Sequence, residues 1–268
     1  MRLKRQIDHL ILMTGTLVMI APLAIIFVSA GNQQGLETSL LPDSDYFSGL
    51  LANAERLARL TGGDATVRSM IGTSLIIASG VALLTTCIAF LAAFSLTFLE
   101  TSLARWVFVV TLMTLYLPIE ARMLPTFDVT LTIGLINTLP GLILPILPIA
   151  VATFVFRQHL RTFPPELFEA ARLDGAGPIR FLREFAVPLS LPPIFAVLLI
   201  TFLIGWNQYL WPLMISTDNS YFPVMRGLNL AGSGSGPSLL LGAVSVLPPL
   251  VLVLAFARAL TRAASLRA

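Results

Sequence analysis

The chain has 268 residues, 56% of them hydrophobic and only 12% charged, with a mean hydropathy of +0.86. A soluble domain usually carries about twice that charge, so this composition excludes an ordinary water-soluble globule and requires lipid as a solvent. The net charge of +3 and the pI near 9.5 do not mark a nucleic-acid surface, because the basic residues are scattered along the chain.

A helix needs roughly 20 apolar residues to cross about 30 Å of hydrocarbon. The first such run covers 10–30. It is too long for the apolar core of a signal peptide and lacks a small-residue cleavage site, so it reads as a retained span. In the segment that follows, "LANAERLARL" sets apolar residues at helical spacing beside Glu55, Arg56 and Arg59. That pattern predicts a short amphipathic helix on the outer membrane surface. The second span, 69–99, exceeds what a bilayer needs and should tilt or protrude. It holds the only cysteine, Cys87, which is expected to be a small buried packing residue.

The third span, 106–124, contains Glu120 and Arg122, flanked by Pro118 and Pro125. The prolines are expected to break the helix and aim both charges at an outer gate or a receptor, where Arg122 would favour an anionic substrate. The alternative is that both side chains snorkel to water. The fourth span, 139–156, carries Pro140, Pro145 and Pro148 and should be bent. The fifth covers 192–216 and the sixth 239–257. Strand-like alternation is absent, so helices are the only spanning structure available. The fold class is therefore all-α: one polytopic membrane domain over 1–268, with six transmembrane helices and a helix-turn-helix loop at 157–191.

Six spans place both termini on one side. With the termini cytoplasmic, the inner segments hold twelve Lys and Arg residues and the outer segments hold Arg56, Arg59, Arg68, Arg122 and Arg226. The positive-inside rule selects that orientation and puts 157–191 in the cytoplasm.

An energy source is not visible in the chain itself. Its one lysine, Lys4, stands at the N-terminus, so no phosphate-binding loop of the G-x-x-x-x-G-K-[ST] kind exists. The deep parts of the spans lack the acids and histidines of ion-coupled carriers, and His9 and His159 sit at inner edges. No metal cluster, catalytic constellation or cofactor site is expected. A partner must supply the energy through the cytoplasmic loop.

That loop contains "PPELFEAARLDGAGPIRFLREFAVPLS". Pro165 suits the first turn of a helix. Glu166 and Glu169 lie near its positive dipole end. Gly175 suits a left-handed cap and Pro178 the start of a second helix. Leu167, Ala170, Ala171 and Asp174 share a strip, where small alanines would admit another backbone.

In the fifth span, "WNQYLWP" runs from Trp206 to Pro212. Asn207 and Gln208 are costly against lipid and must face a helix or a wet cavity. At helical spacing Trp211 shares their side, with Trp206 and Tyr209 on neighbouring faces. Aromatic rings beside amides suit a polyol, so Asn207 and Trp211, with Gln208, Tyr209 and Trp206, are the candidate lining of a substrate path. The alternative is an aromatic belt with amides joining two helices.

The spacing of Glu169-Ala170-Ala171, Gly175 and "FAVP" ending at Pro188 resembles the EAA loop of the membrane subunits of bacterial binding-protein-dependent ABC importers. The family pattern ends in I-x-L-P, whereas Phe185 and Val187 stand here, and both remain apolar. The resemblance runs over nearly the whole chain and is to the maltose-type second permease of carbohydrate-uptake importers. It implies an inner-membrane permease without ATPase activity, in which Glu166, Glu169, Ala170, Ala171, Asp174 and Gly175 form the contact with an ATPase subunit. It further implies a companion permease, an ATPase dimer that carries ATP and Mg, and an extracytoplasmic solute-binding protein. "LPIEARMLPTFDV" and "GWNQYLWPLMISTD" look most like the branch that imports sn-glycerol-3-phosphate. A permease for a neutral sugar, polyol or sugar-glycerol conjugate is the alternative within the class, and a self-contained channel or carrier is the alternative outside it.

Overall fold

The computed structural model describes residues 2–32, 42, 44–60, 66–98 and 102–265. These residues are almost entirely helical, with no strand among them. In chain order the helices are α1 (Arg2–Ser29), α2 (Tyr46–Leu60), α3 (Val67–Phe98), α4 (Ser102–Met113), α5 (Ile119–Thr132), α6 (Leu139–Ile143) and α7 (Ala150–Leu160). Then follow α8 (Pro165–Leu173), α9 (Pro178–Phe181), α10 (Val187–Leu189), α11 (Leu191–Trp206), α12 (Leu210–Ile215), α13 (Val224–Leu230) and α14 (Gly236–Ser265). Short 3-10 turns extend α4 through Tyr116 and α6 through Ile146, and a π segment, Leu182–Ala186, joins α9 to α10.

Among the described residues, three stretches are long and apolar enough to cross a bilayer unbroken: Gln6–Ser29, Val67–Phe98 and Gly236–Phe256. The 32 residues of α3 measure about 48 Å at 1.5 Å per residue, longer than the hydrocarbon, as expected. Three bent pairs pass only when taken together, which gives up to six crossings. Leu103–Tyr116 turns by 107° into Ala121–Thr132, Leu139–Ile146 by 52° into Ala150–Leu160, and Pro178–Leu189 by 77° into Leu191–Trp206. Prolines stand at each break, with Pro192 in the first turn of α11 at the third. Pro118 caps α5, and Pro145 and Pro148 interrupt the fourth run, because proline lacks the N–H that would continue the ladder. Pro125 stands inside α5, which continues past it.

The chain divides into two compact units, 1–73 with 222–249 and 74–221 with 250–268. In the first, α2 is tied to the end of α1. The Tyr46 hydroxyl donates to the Phe27 carbonyl at 2.8 Å, and the buried Asn53 amide donates to the carbonyls of Ala30 and Asn32 at 3.0 and 2.9 Å. The amphipathic helix read from 51–60 is thus present, one turn longer at its start. Phe47 and Leu51 remain exposed on it.

In the second unit, Gly205 of α11 lies against α3. A Cβ there would stand 2.9 Å from Ala78 Cα, so only glycine allows this close approach. Two apolar clusters fill this unit. One joins Ile77 and Val81 of α3 to Leu142, Ile146, Trp211 and Ile215. The other is aromatic. Phe98 packs 5.1 Å from Phe168 and 5.3 Å from Phe181, and Phe181 packs 5.5 Å from Phe185.

Cys87 corrects an expectation. It is exposed, on a face of α3 that also bares Leu83, Leu84 and Ile88. A small apolar side chain needs no protein partner where lipid or another subunit is the neighbour.

Candidate functional site: a polar helix-turn-helix and a cavity

The polar loop forms the helix-turn-helix read from the sequence. Pro165 occupies the first turn of α8, and Gly175 takes φ +75° just past its end. The Gly175 N–H donates to the Arg172 carbonyl at 3.0 Å and the Ala176 N–H to the Ala171 carbonyl at 2.9 Å. This pair of bonds is the Schellman closure of a helix, and it requires the left-handed residue that glycine supplies without strain. Pro178 then starts α9.

The two faces of α8 divide clearly. Glu166, Glu169, Ala170 and Leu173 are exposed at spacings of three, four and seven residues, and Asp174 is exposed at the cap. Leu173 is 89% exposed and Ile179, beyond the turn, 73%. These two large apolar side chains were not singled out from the sequence. Ala171 is a correction. It is only 4% exposed and packs within the aromatic cluster of Phe98, Phe168 and Phe181. Its small size makes room for those rings and does not face outward. Leu167 packs against the same cluster, so the proposed strip of Leu167, Ala170, Ala171 and Asp174 is split between an inner and an outer face.

The second region lies in the same unit as the loop. A cavity of about 230 Å³ is walled by residues from two of these breaks, Leu117 with Arg122 and Pro148 with Ile149, and by Gln208 and Trp211 at the gap between α11 and α12. Arg122 and Gln208 are partly buried. Trp211 is 4% exposed, and its indole N–H donates to the Gly141 carbonyl at 3.0 Å. Thr114 and Thr126 also line the cavity. Each hydroxyl already donates within its own helix region, to Thr111 and Arg122 carbonyls at 2.7 Å.

The structure therefore brings Arg122, Gln208 and Trp211 together and leaves other candidates apart. α11 ends at Trp206 and α12 begins at Leu210, so Asn207 and Trp211 do not share one helical face as their spacing suggested. Asn207 caps α11 and is exposed, outside the cavity wall. Trp206 is 1% exposed and stacks on Phe202 at 6.0 Å, a core residue rather than a path residue. Tyr209 is partly buried and is not part of the wall. Glu120 belongs to α5, but its side chain lies outside the described residues.

Just before α6, Asn137 takes φ +56°. Its side-chain oxygen accepts from the N–H groups of Thr217 and Asp218 at 2.7 and 3.0 Å, which fixes the loop after α12. Asp218 accepts in turn from the Ser220 N–H and hydroxyl, and these bonds hold its carboxyl below the usual carboxylate range.

Apolar broken helices around a small cavity, with an exposed polar helix-turn-helix, are the features of a helical membrane transport subunit. The comparisons give its family. The profile described as "Binding-protein-dependent transport system inner membrane component" matches residues 85–265. The chain belongs to that family and is an ABC importer permease. It is 36% identical over 267 residues to the sn-glycerol-3-phosphate transport system permease protein UgpE of Salmonella typhi, covering 95% of this chain and 94% of that one. It is 38% identical over 230 residues to the same-named protein of Rhizobium meliloti strain 1021, covering 83% and 80%. Its fold matches a bacterial ABC transporter involved in the import of the acidic polysaccharide alginate, with a TM-score of 0.75, 17% identity and 96% of each chain covered.

Proposed function

We propose that this chain forms half of the translocation path of an importer for sn-glycerol-3-phosphate or a closely related glycerophospho compound. The observation that carries the reading is identity of 36–38% over most of the chain to permeases named for that substrate. The chain crosses the inner membrane six times with both termini cytoplasmic. A companion permease completes the path, and an extracytoplasmic binding protein delivers the solute. ATP and Mg reside on a partner ATPase dimer, since this chain has no mid-chain lysine for a phosphate-binding loop.

The outer face of α8 is the docking surface for one ATPase subunit. Glu166, Glu169, Ala170, Leu173 and Asp174 face outward there, and Gly175 closes the helix behind them. The ring cluster beneath makes the surface rigid. A displacement of α8 therefore moves Phe168 against Phe98 at the end of α3, a path from the ATPase to a membrane span. Receptor-dependent uptake of radiolabelled sn-glycerol-3-phosphate, in cells expressing or lacking this gene, tests the substrate. Uptake restored by the gene supports the reading. Restored uptake of a neutral sugar or polyol, without sn-glycerol-3-phosphate, overturns it.

A further inference from the structure

We propose that the cavity walled by Arg122, Pro148, Gln208 and Trp211 is a subsite for a glycerol phosphate ester, with Arg122 holding the phosphate and Gln208 a hydroxyl. The proposal deepens the substrate reading and rests on it.

The argument is a donor and acceptor inventory. Among the described residues of the cavity wall, Arg122 is the only charged one, and no described carboxylate of the wall balances it. A guanidinium cannot escape burial by losing its proton, and a partly desolvated cation favours an anionic ligand. Its planar fork matches two phosphate oxygens. The hydroxyls of Thr114 and Thr126 already donate to carbonyls, and the Trp211 N–H donates to Gly141. Among the described residues of this wall, Arg122 and Gln208 are thus the side-chain donors still available to a ligand. The threonine oxygens retain lone pairs and accept from ligand hydroxyls. The Trp211 ring and the apolar wall, which includes Ile146 and Ile149, suit a short carbon backbone. One anionic group plus hydroxyls on a short chain is the chemistry of glycerol phosphate. The volume, about 230 Å³, lies below the roughly 300–1,000 Å³ typical of drug-sized ligand sites and suits a small solute. The same chemistry has two sources, the free solute or the headgroup of phosphatidylglycerol.

The test uses the complete transporter in phosphatidylcholine vesicles with and without phosphatidylglycerol. Receptor-dependent uptake of sn-glycerol-3-phosphate is compared for wild type, R122Q, R122K and Q208A, each checked for wild-type subunit stoichiometry. A free-solute site predicts that R122Q lowers uptake at sub-saturating substrate roughly tenfold in both membranes, as expected for a lost charged hydrogen bond. R122K should recover part of that loss and Q208A should fall between. A headgroup site predicts wild-type uptake that depends on phosphatidylglycerol and R122Q uptake that does not. If R122Q fails to assemble, Q208A and R122K decide by the same criteria. Wild-type uptake that assembled variants match in both membranes overturns the subsite alone. Wild-type vesicles that take up no sn-glycerol-3-phosphate overturn the substrate reading and the subsite with it.

Discussion

Gly175 offers a graded test of coupling, because its constraint is purely conformational. It holds φ +75°, and a Cβ added there would meet nothing within 4 Å. G175A therefore creates no clash and pays only the left-handed penalty, about 1–2 kcal/mol. G175N pays less, since asparagine visits that region more readily. Proline has no compatible state. Its φ is locked near −65°, and it lacks the N–H that now donates to Arg172 at 3.0 Å. Closure of α8 then fails, and the neighbouring bond from Ala176 to Ala171 fails with it. A penalty of 1–2 kcal/mol changes the ratio of ordered to open turn by about 5–30-fold. The expected order of solute imported per ATP hydrolysed is wild type, G175N, G175A, G175P. The assay is paired uptake and ATP hydrolysis by the reconstituted transporter, with ATPase subunits quantified in each preparation. Wild-type coupling in G175P would refute the reasoning, as would asparagine and alanine variants as impaired as proline.

Further outcomes are expected from packing, hydrogen bonding and topology. A171L overpacks the aromatic cluster and should cost about 1–3 kcal/mol, seen as a lower unfolding midpoint of the detergent-solubilised chain. A170L, on the exposed face, should leave that midpoint unchanged and reduce co-purification of the ATPase subunit. W211F removes the N–H that reaches the Gly141 carbonyl and should cost about 1–3 kcal/mol, because it leaves a buried acceptor unpaired; an unchanged midpoint would show that the bond contributes nothing net. N137G keeps the left-handed backbone but loses the bonds to Thr217 and Asp218, so N137A should be less stable than N137G; the reverse order would put the role of Asn137 elsewhere. A cysteine at position 174 should resist impermeant labelling from outside intact cells, and efficient labelling there would reverse the topology.

The parts legible in the sequence are those where backbone chemistry leaves one choice. Pro165, Gly175 and Pro178 each have few permitted settings, and the helix-turn-helix follows from their order. The phase of α8 was harder, because alanine is neutral about which way it faces. Counting Leu167 and Phe168 with Ala171 would have drawn the inner stripe and left Glu166, Glu169, Ala170 and Leu173 outside. The meeting of Arg122 with Gln208 and Trp211 joins residues more than eighty positions apart, and no local period reports it. The break before α12 is the most instructive case. A fifth span over 192–216 would carry one helix through Asn207, Gln208 and Trp211 up to Pro212. A proline inside a helix clashes with the carbonyl four residues earlier and leaves it without a donor, which here means Gln208. In the first turn there is no such carbonyl in the helix. Pro212 is the third residue of α12, so the helix begins at Leu210 and the backbone must break across 207–209. The proline therefore acts on the residues before it. That break separates Asn207 from the cavity and leaves Gln208 at its wall.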